Sequence, residues 1–194
     1  MQQILAIYQS RPKVANKVPV AEATDLFSTA SELNDAVERA KSDASRARHR
    51  KALMEYLYAH GSSDADCGVL LFQILSDEEG QNFAQLAQLG FNNILLAQRQ
   101  NNFHAEVSAF YSWARMILDH NPAFAFDLLY VCKFAIDKIC RGMDAESRYD
   151  IWCLAARAAE VLVIDGDPSY REAEIKCYER ARKAKNESDD LRGN

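Results

Sequence analysis

The chain has 194 residues, 48% hydrophobic and 26% charged, which is enough apolar surface to fold around its own core without metals or disulfides. Its formal net charge of −5 excludes a general attraction for nucleic acid or anionic lipid, so binding of that kind would need a local basic patch. Seven glycines and four prolines supply few tight turns. That excludes a loop-rich β architecture and predicts an all-α protein, a multi-helix bundle or a short right-handed array of helical hairpins with about 7 to 9 helices.

In chain order, residues 1 to 9 are expected to form a short apolar helix without a basic leader, so no signal peptide is expected. Pro12 and Pro19 mark a loop. Thr29 and Glu32 match a capping box, in which hydroxyl and carboxylate each accept from a backbone N–H at a helix start. A single helix is expected from there to His60-Gly61, about 30 residues or roughly 45 Å long. Between Lys41 and Lys51 its only apolar side chains are alanines, so that stretch is expected to be exposed. Two regions follow: residues 1–60, an N-terminal helical segment with one long polar helix, and residues 61–194, a compact helical core.

Gly61 to Asp66 reads as a hinge before the apolar run Val69 to Leu75, and Ser76 with Glu79 as a second capping box opening a helix that carries Phe83, Leu86 and Ala87. Gln98 to Asn102 is a connection. Phe103, Val107, Phe110, Tyr111, Ala114 and Leu118 form the cleanest helical stripe. Asn121-Pro122 is an N-cap followed by proline at the first helical position, where the missing N–H does no harm. The helix from Pro122 to about Arg141 is apolar on nearly every side and is expected at the centre of the fold, with Asp127 as the one candidate buried acid. Asp144 caps a helix rich in alanine, Gly166-Asp167-Pro168 turns the chain, and Ser169 with Glu172 opens a last helix ending near Lys185.

Within residues 151–185, Trp152 with the small residues Ala155, Ala156 and Ala159, a turn, and then Ala173, Tyr178 and Ala181 resemble one tetratricopeptide-type helical hairpin. No second copy stands at a 34-residue period. The resemblance implies closely nested helices and a surface that holds a peptide or partner protein.

Phosphate-cradling, zinc-protease, hydrolase and EF-hand motifs are absent, and no cofactor is expected. The four histidines stand far apart, with no ligand partner one turn away. Five cysteines without a CxxC pair point to reduced thiols in a cytoplasmic or nuclear compartment, mostly packed as small core side chains. No apolar run reaches the roughly 20 residues that span a bilayer, so no membrane partner is expected.

Two basic segments stand out. Arg39, Arg46, Arg48, Arg50 and Lys51 lie on or beside the long helix, and Arg180, Arg182 and Lys183 on the last one. Either set could contact phosphates through arginine's planar donor pairs, although charge runs also serve as solvated helix faces. Tyr56, Tyr58 and Trp113 are aromatics expected at exposed helix ends. Together these features point to a non-enzymatic helical scaffold that binds a protein partner or a second copy of itself. The alternative is an RNA- or DNA-binding protein using the basic face at residues 39–51.

Overall fold

The structure is a computed structural model that describes residues 25–78, 80, 82–129 and 144–192. Every regular element among them is helical: α1 (Asp25–Glu38), α2 (Asp43–His60), α3 (Ala65–Ser76), α4 (Phe83–Arg99), α5 (Phe103–Ile117), α6 (122–129 as far as it is described), α7 (Ala145–Ile164), a 3-10 turn (Pro168–Tyr170) and α8 (Arg171–Arg192). None of the described helices is long and apolar enough to cross a membrane.

The helices pack as two compact units, one ending at Ser112 and the other beginning at Trp113, inside α5. The expected boundary at residues 60 and 61 falls inside the first unit. There α1 and α2 pair, and both pack on α3, which in turn pairs with α4. Leu53 and Leu57 of α2, Phe72 of α3, Ile94 of α4 and Phe110 of α5 are each at most 1% exposed and make the apolar centre of this unit.

The single long helix is corrected to two. Ser42 adopts an extended backbone, and its hydroxyl accepts from the Ser45 N–H, so a fresh helix starts at Asp43 with an acid in its first turn. Thr29, expected as a cap, lies within α1 and returns its hydroxyl to the Asp25 carbonyl. The expected cap at Ser76 is corrected in the same way: that hydroxyl donates to the Gln73 carbonyl at the end of α3, and α4 is capped instead by Asn82, whose side chain accepts from Ala84 and Gln85. Gly90 is buried within α4.

Other boundaries stand as expected. Asn121 accepts from the Phe124 N–H and Asp144 from the Ser147 N–H, the latter bond holding the Asp144 carboxyl below its usual range. In the second unit Ala125, Phe126, Leu128 and Leu129 of α6 are buried. Residues 130–143, the rest of the apolar helix expected there, lie outside the described residues.

Helices α7 and α8 run antiparallel, with pairs at Tyr178–Glu160, Arg180–Trp152 and Arg148–Glu187 fixing the register. Gly166 makes the turn between them at φ +104°, a conformation side-chain-bearing residues rarely adopt. Alanines at 155, 156, 158 and 159 of α7 and at 181 and 184 of α8 are all buried, so the two backbones approach closely. The last helix continues to Arg192, beyond the expected end near Lys185.

Candidate functional site

The basic face of α2 comes first because it is where phosphates would bind. Arg46 pairs with Asp43 at 3.4 Å, Arg50 with Glu78 at 2.6 Å and Lys51 with Glu55 at 3.8 Å, while Arg39 at the end of α1 pairs with Asp35 at 2.7 Å. Arg48 is exposed. Most of these cations therefore already hold a carboxylate, and the potential a phosphate would feel is correspondingly lower. Arg46 also donates to the Ala40 carbonyl at 3.4 Å, which ties it to the break between α1 and α2.

The aromatics divide. Tyr58 is 63% exposed. Tyr56 is half-buried, its hydroxyl donating to the Leu26 carbonyl at 3.1 Å and so tying α2 to α1. Trp113 is a correction: it is buried, with its ring edge-on to Phe124 at 5.4 Å, because the α5 stripe that the sequence shows as apolar turns it inward. Asp127, by contrast, is exposed.

A cluster of polar side chains is buried where α3, α4 and α5 meet. Asp64 caps α3 by accepting from the Cys67 N–H at 2.9 Å and is itself only 3% exposed. Asn93 donates to the Gly68 carbonyl at 2.8 Å. The Gln100 amide donates to the Ser63 carbonyl and accepts from the Ala65 N–H, and Asn102 caps α5 while donating to Asp66. Glu106, fully buried, accepts from Gln98 at 2.8 Å. Burial and then the neighbouring Asp64 push the Cys67 thiol up to about 12, which leaves it protonated and unreactive near neutral pH. Among the described residues no group of three or more potential ligands could hold a metal ion. These polar groups tie α3, α4 and α5 to one another.

The α7–α8 hairpin breaks the opposite rule. Ile164 is 76% exposed, Ile175 51% and Tyr178 43%, although each is large and apolar. The Tyr178 hydroxyl donates to Glu160 at 2.9 Å, so Ile164, one turn beyond Glu160, lies opposite the turn of α8 that carries Ile175. Arg182 follows Tyr178 by one turn on the same flank. Arg180 and Lys183 fall on the other flank, where the Arg180 guanidinium lies 4.7 Å from the centre of the Trp152 ring. The second basic segment is thus split over two surfaces. Ile164 and Ile175 were not expected as site residues; the signal was that Cys177, Ala181 and Ala184 form the buried stripe of α8, with Ile175 and Tyr178 out of phase.

No protein-family model matches the chain, and neither a curated protein nor a solved structure does.

Proposed function

We propose that this chain is a non-enzymatic helical scaffold that binds a partner polypeptide, using the flank of the α7–α8 hairpin that carries Ile164, Ile175 and Tyr178. What supports it is the exposure of those three side chains beside Arg182 on a hairpin whose other apolar residues are mostly buried. A stable interface covers about 800 Å² per partner, so this patch alone suits a modest contact with a short segment better than an obligate dimer. The tetratricopeptide-like character of the same hairpin points the same way. Nucleic-acid binding through residues 39–51 is the weaker alternative, since Arg39, Arg46, Arg50 and Lys51 each have a carboxylate within 4 Å.

The test is light scattering on the purified chain together with affinity capture, comparing wild type with Ile175→Lys and Tyr178→Ser. Concentration-dependent mass, or a captured protein lost in both variants, is the expected result. A monomer that retains nothing, or a partner retained equally by the variants, would remove the proposal. Affinity for RNA that falls steeply with salt and with Arg46→Ala would favour the alternative.

A further inference from the structure

The last helix carries two stripes whose residues recur at alternating spacings of three and four. Glu174, Cys177, Ala181 and Ala184 make the buried one. Arg171, Ile175, Tyr178, Arg182, Lys185 and Asp189 make the other, and all six are exposed. Alternation of this kind is the spacing of a heptad seam, by which one helix packs lengthwise on another. The exposed stripe runs for about 27 Å at 1.5 Å per residue.

The order of charges along the stripe selects its partner and the direction in which that partner lies. A second copy laid parallel would set each residue against itself, opposing like charges at Arg171, Arg182, Lys185 and Asp189. Laid antiparallel, the reversed order sets Arg171 against Asp189, Ile175 against Lys185 and Tyr178 against Arg182, and a two-fold axis repeats each contact. Ile175 then meets the methylene stem of a lysine, which covers apolar surface while its ammonium stays in water. Tyr178, whose hydroxyl is held by Glu160 at 2.9 Å, meets a guanidinium, and Glu179 borders the same contact. Arg171 holds Glu174 at 2.9 Å through Nη1, a pair that leaves the other donors of its fork unused.

We propose that α8 is a self-association helix through which two copies of this chain pair, antiparallel, along the exposed stripe. This names the partner in the function proposed above and rests on that reading. A contact about 27 Å long and one helix wide, about 10 Å, falls short of the roughly 800 Å² per partner of a standard interface, so the dimer is reversible. The net charge of −5 opposes the approach of two copies. At physiological salt that repulsion is screened beyond about 8 Å, which leaves the contacts within the seam to decide.

The experiment is sedimentation velocity on the full chain over a range of concentrations at physiological salt. Wild type should pass reversibly from monomer to dimer. Asp189→Arg sets two arginines against each other at both ends of the seam, and Arg171→Asp sets two aspartates. Each variant alone should dimerise about tenfold more weakly. Mixed together they restore opposite charges at both ends, so the mixture should dimerise about as tightly as wild type. Circular dichroism checks the fold of each variant. Should Arg171→Asp disturb it, Ile175→Lys and Ile175→Glu replace the charge pair: the first faces Lys185 with a like charge and loses the dimer, while the second faces it with an opposite one and retains more of it.

The proposal is overturned by a mass that stays monomeric at millimolar chain, by single variants that dimerise as tightly as wild type, by a mixture no tighter than its components, or by equal losses in Ile175→Lys and Ile175→Glu. Should the chain stay monomeric while a different polypeptide is captured and then lost in Ile175→Lys, the second copy falls and the hairpin stands as a binding surface.

Discussion

The junction of α3, α4 and α5 buries polar side chains, whereas the α7–α8 hairpin exposes apolar ones. In the junction, Asp64, Asn93, Asn102 and Glu106 are all under 9% exposed, and the bonds described for each run to helix backbone or to neighbouring side chains. Their burial costs nothing net only because they are partnered, so their positions serve architecture. On the hairpin, Ile164 stays 76% exposed and Ile175 51%, so the fold leaves much of their apolar surface in water. A residue that violates the inside–outside rule with an internal partner explains itself, and one without an internal benefit points outward.

Substitutions should separate the two cases, beginning where the effect is largest. At Gly68 an added methyl group would sit 2.6 Å from both the Asn93 side-chain oxygen and the Gly61 backbone oxygen. Gly68→Ala is therefore expected to lower the unfolding free energy by about 3 kcal/mol, the upper part of the usual overpacking range, as read by urea denaturation. A loss under about 0.5 kcal/mol would mean the junction is loose, and the contrast with the hairpin would disappear.

Asp64→Ala removes the α3 cap and should cost about 1 to 2 kcal/mol in the same assay. The same substitution should lower the Cys67 thiol pKa, since Asp64 helps raise it, and so speed its labelling by a thiol reagent.

The thiol also sets a pH dependence. Its folded pKa is raised from 9.0 to about 12, so the folded state holds this proton more tightly than the unfolded chain. That contribution is whole below pH 9.0 and is lost as the pH rises from there toward 12. Denaturation midpoints followed over this window should fall more steeply for wild type than for Cys67→Ala. Identical slopes would show that burial leaves the thiol unperturbed.

Arg50→Ala, which breaks the partly exposed pair with Glu78, should cost under about 1 kcal/mol, a loss that added salt reduces. Ile175→Lys should be the mildest, within about 0.5 kcal/mol of wild type in the same denaturation assay. A loss of several kcal/mol there would place Ile175 with the core and erase the distinction between the two regions.

The helical class was legible in the sequence because it follows from composition and periodicity, which tertiary packing rarely overturns. Boundaries at Asn121 and Asp144 were legible because a capping side chain stands beside a helix former with no competing signal. Thr29 and Ser76 matched the same pattern and failed, because a hydroxyl inside or at the end of a helix can return to the carbonyl three or four residues back. Ser42-Asp43 carried a usable start signal that the apparent continuity of the long helix concealed.

The surfaces were less legible. Arg39, Arg46, Arg50 and Lys51 read as a basic patch, yet the partners within their own helices, Asp35, Asp43 and Glu55, were visible at spacings of three and four, and only Glu78 needed the fold. Trp113 stands three residues after Phe110, at the edge of the apolar stripe of α5, so its burial was open to reading from its own segment. The pairs Tyr178–Glu160 and Arg180–Trp152 depend on the register between α7 and α8, which no local pattern specifies.

Three consecutive residues between α4 and α5 each carry a different task. Gln100 clasps the start of α3, Asn101 reverses the chain at φ +53°, and Asn102 caps α5 while holding Asp66. A short, polar, partly exposed connection of this kind would ordinarily be a place where insertions and deletions are tolerated. Here a change of one residue in length would move all three side chains out of step at once, so the connection should behave under length variation like a piece of the core.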